Sequence, residues 1–139
     1  HMPSRRQRQM CIRDRTASEL HSANLKGIAR PLEDAVKDMQ AATEWLIEKG
    51  GASTDDGLAG ATPYLRMFGT TVGGWLLAKS ALQAKKQIDE GNDSEFLQAK
   101  IETAAFYAEQ LLPQVSGLLP ATVSGAESLY AIKPERLRG

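Results

Sequence analysis

The sequence predicts an all-α protein, an antiparallel helical bundle of three long helices plus one or two short ones. Apolar residues recur at alternating spacings of three and four through most of the chain, which is the period of amphipathic helices. No segment shows the sustained two-residue alternation of a strand, and no Asn-Gly hairpin signal occurs. The 139 residues, 42% hydrophobic and 24% charged, suit one globular domain.

The first fifteen residues differ from the rest. His1-Met2 is typical of a tag remnant, and residues 3–15 fit neither a helix nor a strand pattern. The portion 8–15 (RQMCIRDR) resembles translated sequencing-adaptor DNA at the edge of a metagenomic contig. We therefore interpret residues 1–15 as an artefact, with a basic arm as the alternative. This interpretation divides the chain into residues 1–15, a helical domain at 16–133 and a tail at 134–139.

The domain is expected to start with a capped helix. Thr16-Ala17-Ser18-Glu19 has the S/T-x-x-E pattern of a capping box, which predicts a helix start at Ala17. Pro31 then either kinks this helix or begins a new one at its first position.

The first long helix follows from Leu32 and ends at Lys49, before Gly50-Gly51. Its predicted core stripe is Leu32, Val36, Met39, Thr43 and Leu46. Residues 51–57 (GASTDDG) have the composition of a loop, and Ser53, Thr54 and Asp55 are candidate caps for the next helix.

Two further long helices and a short one complete the chain. The second begins near Leu58 and ends at Gly91-Asn92, with a predicted stripe of Leu58, Ala61, Leu65, Phe68, Val72, Trp75, Lys79 and Leu82. The third, capped by Asn92 or Asp93 and kinked at Pro113, has the stripe Leu97, Ile101, Ala104, Ala108, Leu111, Val115 and Leu118. A last helix is expected at about 121–130, before Lys133-Pro134.

Small residues predict a close contact between the second and third long helices. A glycine inside a helix costs about 1 kcal/mol relative to alanine, so three of them call for a physical reason. The predicted packing residues are Gly69, Gly73, Gly74, Ala78, Ala104 and Ala108. We expect Gly73 to pack against Ala104 or Ala108; a weak helix at a hinge is the alternative.

Charge and cysteine content exclude several classes of protein. Net charge is zero, but residues 16–139 carry 12 basic and 16 acidic side chains, a net of −4. Nucleic-acid binding requires a basic surface, so the acidic body argues against it unless the basic N-terminal arm contacts the nucleic acid. The single cysteine suits a reducing compartment, which predicts a cytoplasmic location. The longest apolar run, residues 67–78, is too short to cross a membrane.

Catalytic patterns are missing from the sequence. It has no HExxH, CxxC, ExxH, P-loop, GxGxxG or GxSxG motif, so we expect no catalytic, cofactor-binding or metal-ligating residue in this chain. A ligand groove remains an alternative that would make the chain a minimal enzyme or a small-ligand binder. Its candidate side chains are His21, Tyr64, Arg66, Lys79 and Tyr107.

Two segments resemble a known family. Residues 59–78 (AGATPYLRMFGTTVGGWLLA) and 96–113 (FLQAKIETAAFYAEQLLP) are similar to the C-terminal helical domain of acyl-CoA dehydrogenases of the 3-methylmercaptopropionyl-CoA dehydrogenase type. The resemblance covers roughly Leu25 to Leu129. It implies a parent flavoenzyme that uses FAD to oxidise an acyl-CoA thioester, with its catalytic residues outside this domain.

The resemblance also predicts what the domain does. It implies a structural domain that packs on a catalytic body and helps subunit contacts. Detached from that body, the domain would expose an apolar face, so we expect self-association, most simply as a homodimer.

Overall fold

The computed structural model describes the backbone of residues 5–139 and the side chains from Asp14 onward. All regular structure in these residues is helical, which confirms the all-α class. The helices are α1 (Arg5–Ser22), α2 (Lys26–Trp45), α3 (Thr54–Ala59), α4 (Ala61–Asp89), α5 (Glu95–Gln110), α6 (Gln114–Thr122) and α7 (Glu127–Tyr130). A π-helical turn (Leu46–Gly50) extends α2, and a 3-10 turn (Pro134–Leu137) lies near the C-terminus.

Helix α1 is longer than the sequence pattern indicates. It runs without a break through Thr16, so the predicted start at Ala17 is wrong, and so is the non-helical interpretation of residues 5–15. Arginine, glutamine and methionine are good helix formers, which makes a helix there compatible with the sequence. The Thr16 hydroxyl is used elsewhere: it accepts a hydrogen bond of 3.1 Å from the Trp75 indole N–H on α4. The described chain thus has four long helices rather than three.

The turn between α1 and α2 lies before Pro31. α1 ends at Ser22, Asn24 in the turn that follows has a positive φ of 62°, and α2 then begins at Lys26 and passes through Pro31. Pro31 therefore neither kinks the helix that contains Thr16 nor begins a new one, because α2 begins five residues before it. The predicted stripe of α2 is confirmed at Leu32, Val36 and Met39, which are buried.

The segment between α2 and α4 is more helical than a loop. Ser53 caps α3, and its Oγ accepts a hydrogen bond from Asp56 N at 3.4 Å. Gly60 then joins α3 to α4 and lies against α6: a Cβ on Gly60 would overlap the carbonyl oxygen of Thr122. This close approach fixes where α4 starts relative to the end of α6.

Helix α4 is the centre of the bundle and contacts α1, α2, α5 and α6. Its buried residues are Met67, Thr71, Gly74, Ala78, Ala81 and Ala84. The predicted stripe is therefore wrong in the first half of the helix, where Leu65 and Phe68 lie exposed on the opposite side, but Trp75 and Leu82 do pack against the core. Small residues face the core, so neighbouring helices approach α4 closely.

The second half of the bundle folds back along α4. Ser94, rather than Asn92 or Asp93, caps α5: its Oγ accepts a hydrogen bond from Leu97 N at 3.3 Å. Pro113 does more than kink the third predicted helix, since residues 111–113 form a turn that separates α5 from α6. This turn exposes Leu111 and buries Leu112, so the predicted place of Leu111 in the core is wrong.

The predicted last helix is shorter than expected. Residues 121–122 belong to the end of α6, and α7 spans four residues. The turn between them contains Gly125 with a positive φ of 75°. Asp56 Oδ1 accepts a hydrogen bond from Ala126 N at 2.8 Å, which fastens this turn to α3.

Candidate functional site

The predicted small-residue seam lies partly inside the bundle. Ala78, Ala104 and Ala108 are buried, and a Cβ on Gly74 would stand 2.6 Å from Leu112 Cδ2. A Cβ on Gly73 would stand 2.6 Å from the Tyr107 hydroxyl oxygen, so its neighbour is Tyr107 rather than an alanine of α5.

Gly69 differs from the other two glycines. A Cβ on Gly69 would meet nothing within 4 Å. The prediction that Gly69 packs against the third predicted helix is therefore wrong.

Tyr107 is fixed by its contact with α4. Its hydroxyl donates a hydrogen bond of 2.7 Å to the carbonyl oxygen of Thr70. Burial raises the pKa of Tyr107 above its usual value of 10.0, because desolvation disfavours the phenolate. The hydroxyl therefore stays protonated at neutral pH and serves as a donor that holds α5 to α4.

The other residues of the predicted groove have separate partners. His21 pairs with Glu33 on α2, and Lys79 Nζ lies 4.6 Å from the centre of the Trp75 ring. The Tyr64 hydroxyl is 2.8 Å from Thr43 Oγ1. The Thr43 hydroxyl itself donates to Met39 O, so Tyr64 is the donor of this pair. Arg66 is exposed. The structure does not gather the five predicted side chains into one site.

A polar groove between α1 and α4 has a volume of about 450 Å³. Its lining comprises Arg15, Thr16, Glu19, Lys79, Leu82, Gln83 and Lys86. Lys79 is the one predicted groove residue that lines it. The groove is an open surface feature, and its three cations and one carboxylate are solvated.

No reactive cluster forms among the described side chains. No group of three or more His, Cys, Asp or Glu residues stands close enough to hold a metal ion in this part of the chain. Within the described residues, no helix combines the length and apolar content needed to cross a membrane.

The side of α4 that faces away from the core is an apolar surface. We call it the outer face, and define it by Ala61, Leu65, Phe68, Gly69, Val72 and Leu76. Leu65 is 69% exposed, Phe68 43% and Leu76 55%. These positions follow the three-four spacing of one side of a helix.

The outer face is apolar over its whole length and then ends. From Lys79 onward, the same side of α4 carries the exposed polar residues Lys79, Gln83 and Lys86. The first half of α4 therefore has one apolar side toward the core and a second toward solvent, with the exposed Thr62 and Arg66 outside both.

Sequence reasoning missed the outer face although its signal was present. Two apolar stripes can be traced through residues 61–78, one through Met67 and Ala78 and one through Leu65 and Leu76. The presence of both indicates a helix with two buried sides, whereas we predicted a single stripe.

Further large apolar side chains are exposed outside α4. Phe96 and Phe106 lie on α5, and Leu58 lies on α3. The C-terminal segment adds Leu129, Tyr130, Ile132 and Leu137.

Comparison with known proteins assigns this arrangement to a family. Residues 9–133 match the family described as acetyl-CoA dehydrogenase C-terminal like. A curated relative, the 3-methylmercaptopropionyl-CoA dehydrogenase of Ruegeria pomeroyi, is 38% identical over 89 residues. That alignment covers 64% of this chain and 15% of the relative, so the chain corresponds to a small part of that enzyme. With a match over most of its length, the chain belongs to the acetyl-CoA dehydrogenase C-terminal-like family.

Proposed function

We propose that this chain is a non-catalytic structural domain of an acyl-CoA dehydrogenase-like flavoenzyme and packs on the rest of that protein through the outer face. The observation that carries the proposal is the apolar outer side of α4. In the whole protein, FAD chemistry on an acyl-CoA thioester would take place outside this domain. The single cysteine suits the reducing cytoplasm for such a protein.

The energetics support an interface at this place. Full burial of a leucine or phenylalanine side chain stabilises a complex by roughly 1.5–3 kcal/mol. Leu65, Phe68 and Leu76 still have about half of their surfaces to bury. Together these three side chains can contribute several kcal/mol to a contact, because burying them does not require a charged group to be desolvated.

The distribution of polar groups supports a structural role. The side chains that could act as acids or bases lie on different helices, and their partners are helix-to-helix contacts such as Tyr107 with Thr70 and His21 with Glu33. General acid–base catalysis requires such groups to converge on one reacting atom. The observed partners either connect neighbouring helices or lie on the same helix, as Lys85 and Asp89 do.

Self-association of the isolated chain tests this proposal. Without its partner surface, the chain is expected to form a dimer, and the double variant Leu65→Lys/Leu76→Lys should shift the sedimentation profile to monomer. Lysine is a good helix former, so the variant should keep the helical circular dichroism of the unsubstituted chain.

The matched control is the double variant Ile47→Lys/Leu137→Lys. It introduces the same two charges at residues that are equally exposed and lie outside α4. It should leave the dimer intact. If the unsubstituted chain sediments as a monomer at millimolar concentration, the proposal is wrong.

A further inference from the structure

We draw no further inference here: the strongest candidate, the groove between α1 and α4 in which Lys79 and Lys86 follow the apolar outer face, is lined by exposed cations together with the carboxylate of Glu19, and nothing in the structure shows what covers it.

Discussion

Glycines decide how closely the helices of this bundle meet. Gly60 and Gly74 have no room for a Cβ, whereas Gly69 and Gly117 have open space. The sequence does not distinguish these four glycines. It shows that a glycine lowers the stability of a helix, but not which neighbouring group requires the glycine. The sequence predicted a close contact at Gly73 correctly in kind, but the neighbour is a tyrosine that spacing alone could not identify.

Gly60→Ala should destabilise the protein by about 2–3 kcal/mol, because the new methyl group would overlap the backbone carbonyl of Thr122 and force α3 away from α6. Chemical denaturation followed by circular dichroism measures the loss. Gly117→Ala is the control and should stabilise α6 by up to about 1 kcal/mol. Equal stabilities for the two variants would contradict the close approach at Gly60.

The helices differ in how well their sequence patterns predicted their orientation. The stripe of α2 is right at Leu32, Val36 and Met39, because charged residues between them leave one apolar side. The first half of α4 has two apolar sides, so its periodicity has no unique phase there, and the predicted stripe followed the outer side. The Thr16 capping pattern failed for a related reason: a local motif cannot show whether the preceding residues are already helical.

The C-terminal segment is tied to α3 at a single carboxylate. Asp56→Ala removes the acceptor for Ala126 N, so hydrogen exchange should become faster at Ala126 and through α7. Mass spectrometry of deuterated peptides measures the change. Asp55→Ala is the matched control, because Asp55 is the exposed neighbour in the same first turn. Similar exchange in both variants would show that other contacts hold the segment.

At the scale of the molecule, the sequence established the helical class and the approximate number of helices. It could not establish which surface is left for a partner, because burial between two proteins and burial within one produce the same apolar pattern. For a similar reason, the sequence could not show whether the five candidate side chains of the ligand groove lie together. Residue type suggested His21, Arg66 and Tyr107, but only the packing shows that they lie on different parts of the bundle.

Deletion of residues 1–13 tests the interpretation of the N-terminus as an artefact. Among the described side chains of α1, those buried in the bundle are Thr16 and Leu20, and both remain after the deletion. The melting temperature should therefore stay within a few degrees of that of the parent chain. A large fall would show that the segment contributes to the fold, contrary to this interpretation.

The change at Lys79 divides α4 along its length. The stretch from Ala61 to Leu76 measures ~24 Å at the rise of an α-helix, and the hydrophilic half begins immediately beyond it. A helix docked on the apolar half cannot slide toward the C-terminal end of α4 without covering the Lys79 and Lys86 ammonium groups. The apolar surface available to a binding partner is thus about four helical turns long, and Lys79 sets its C-terminal boundary.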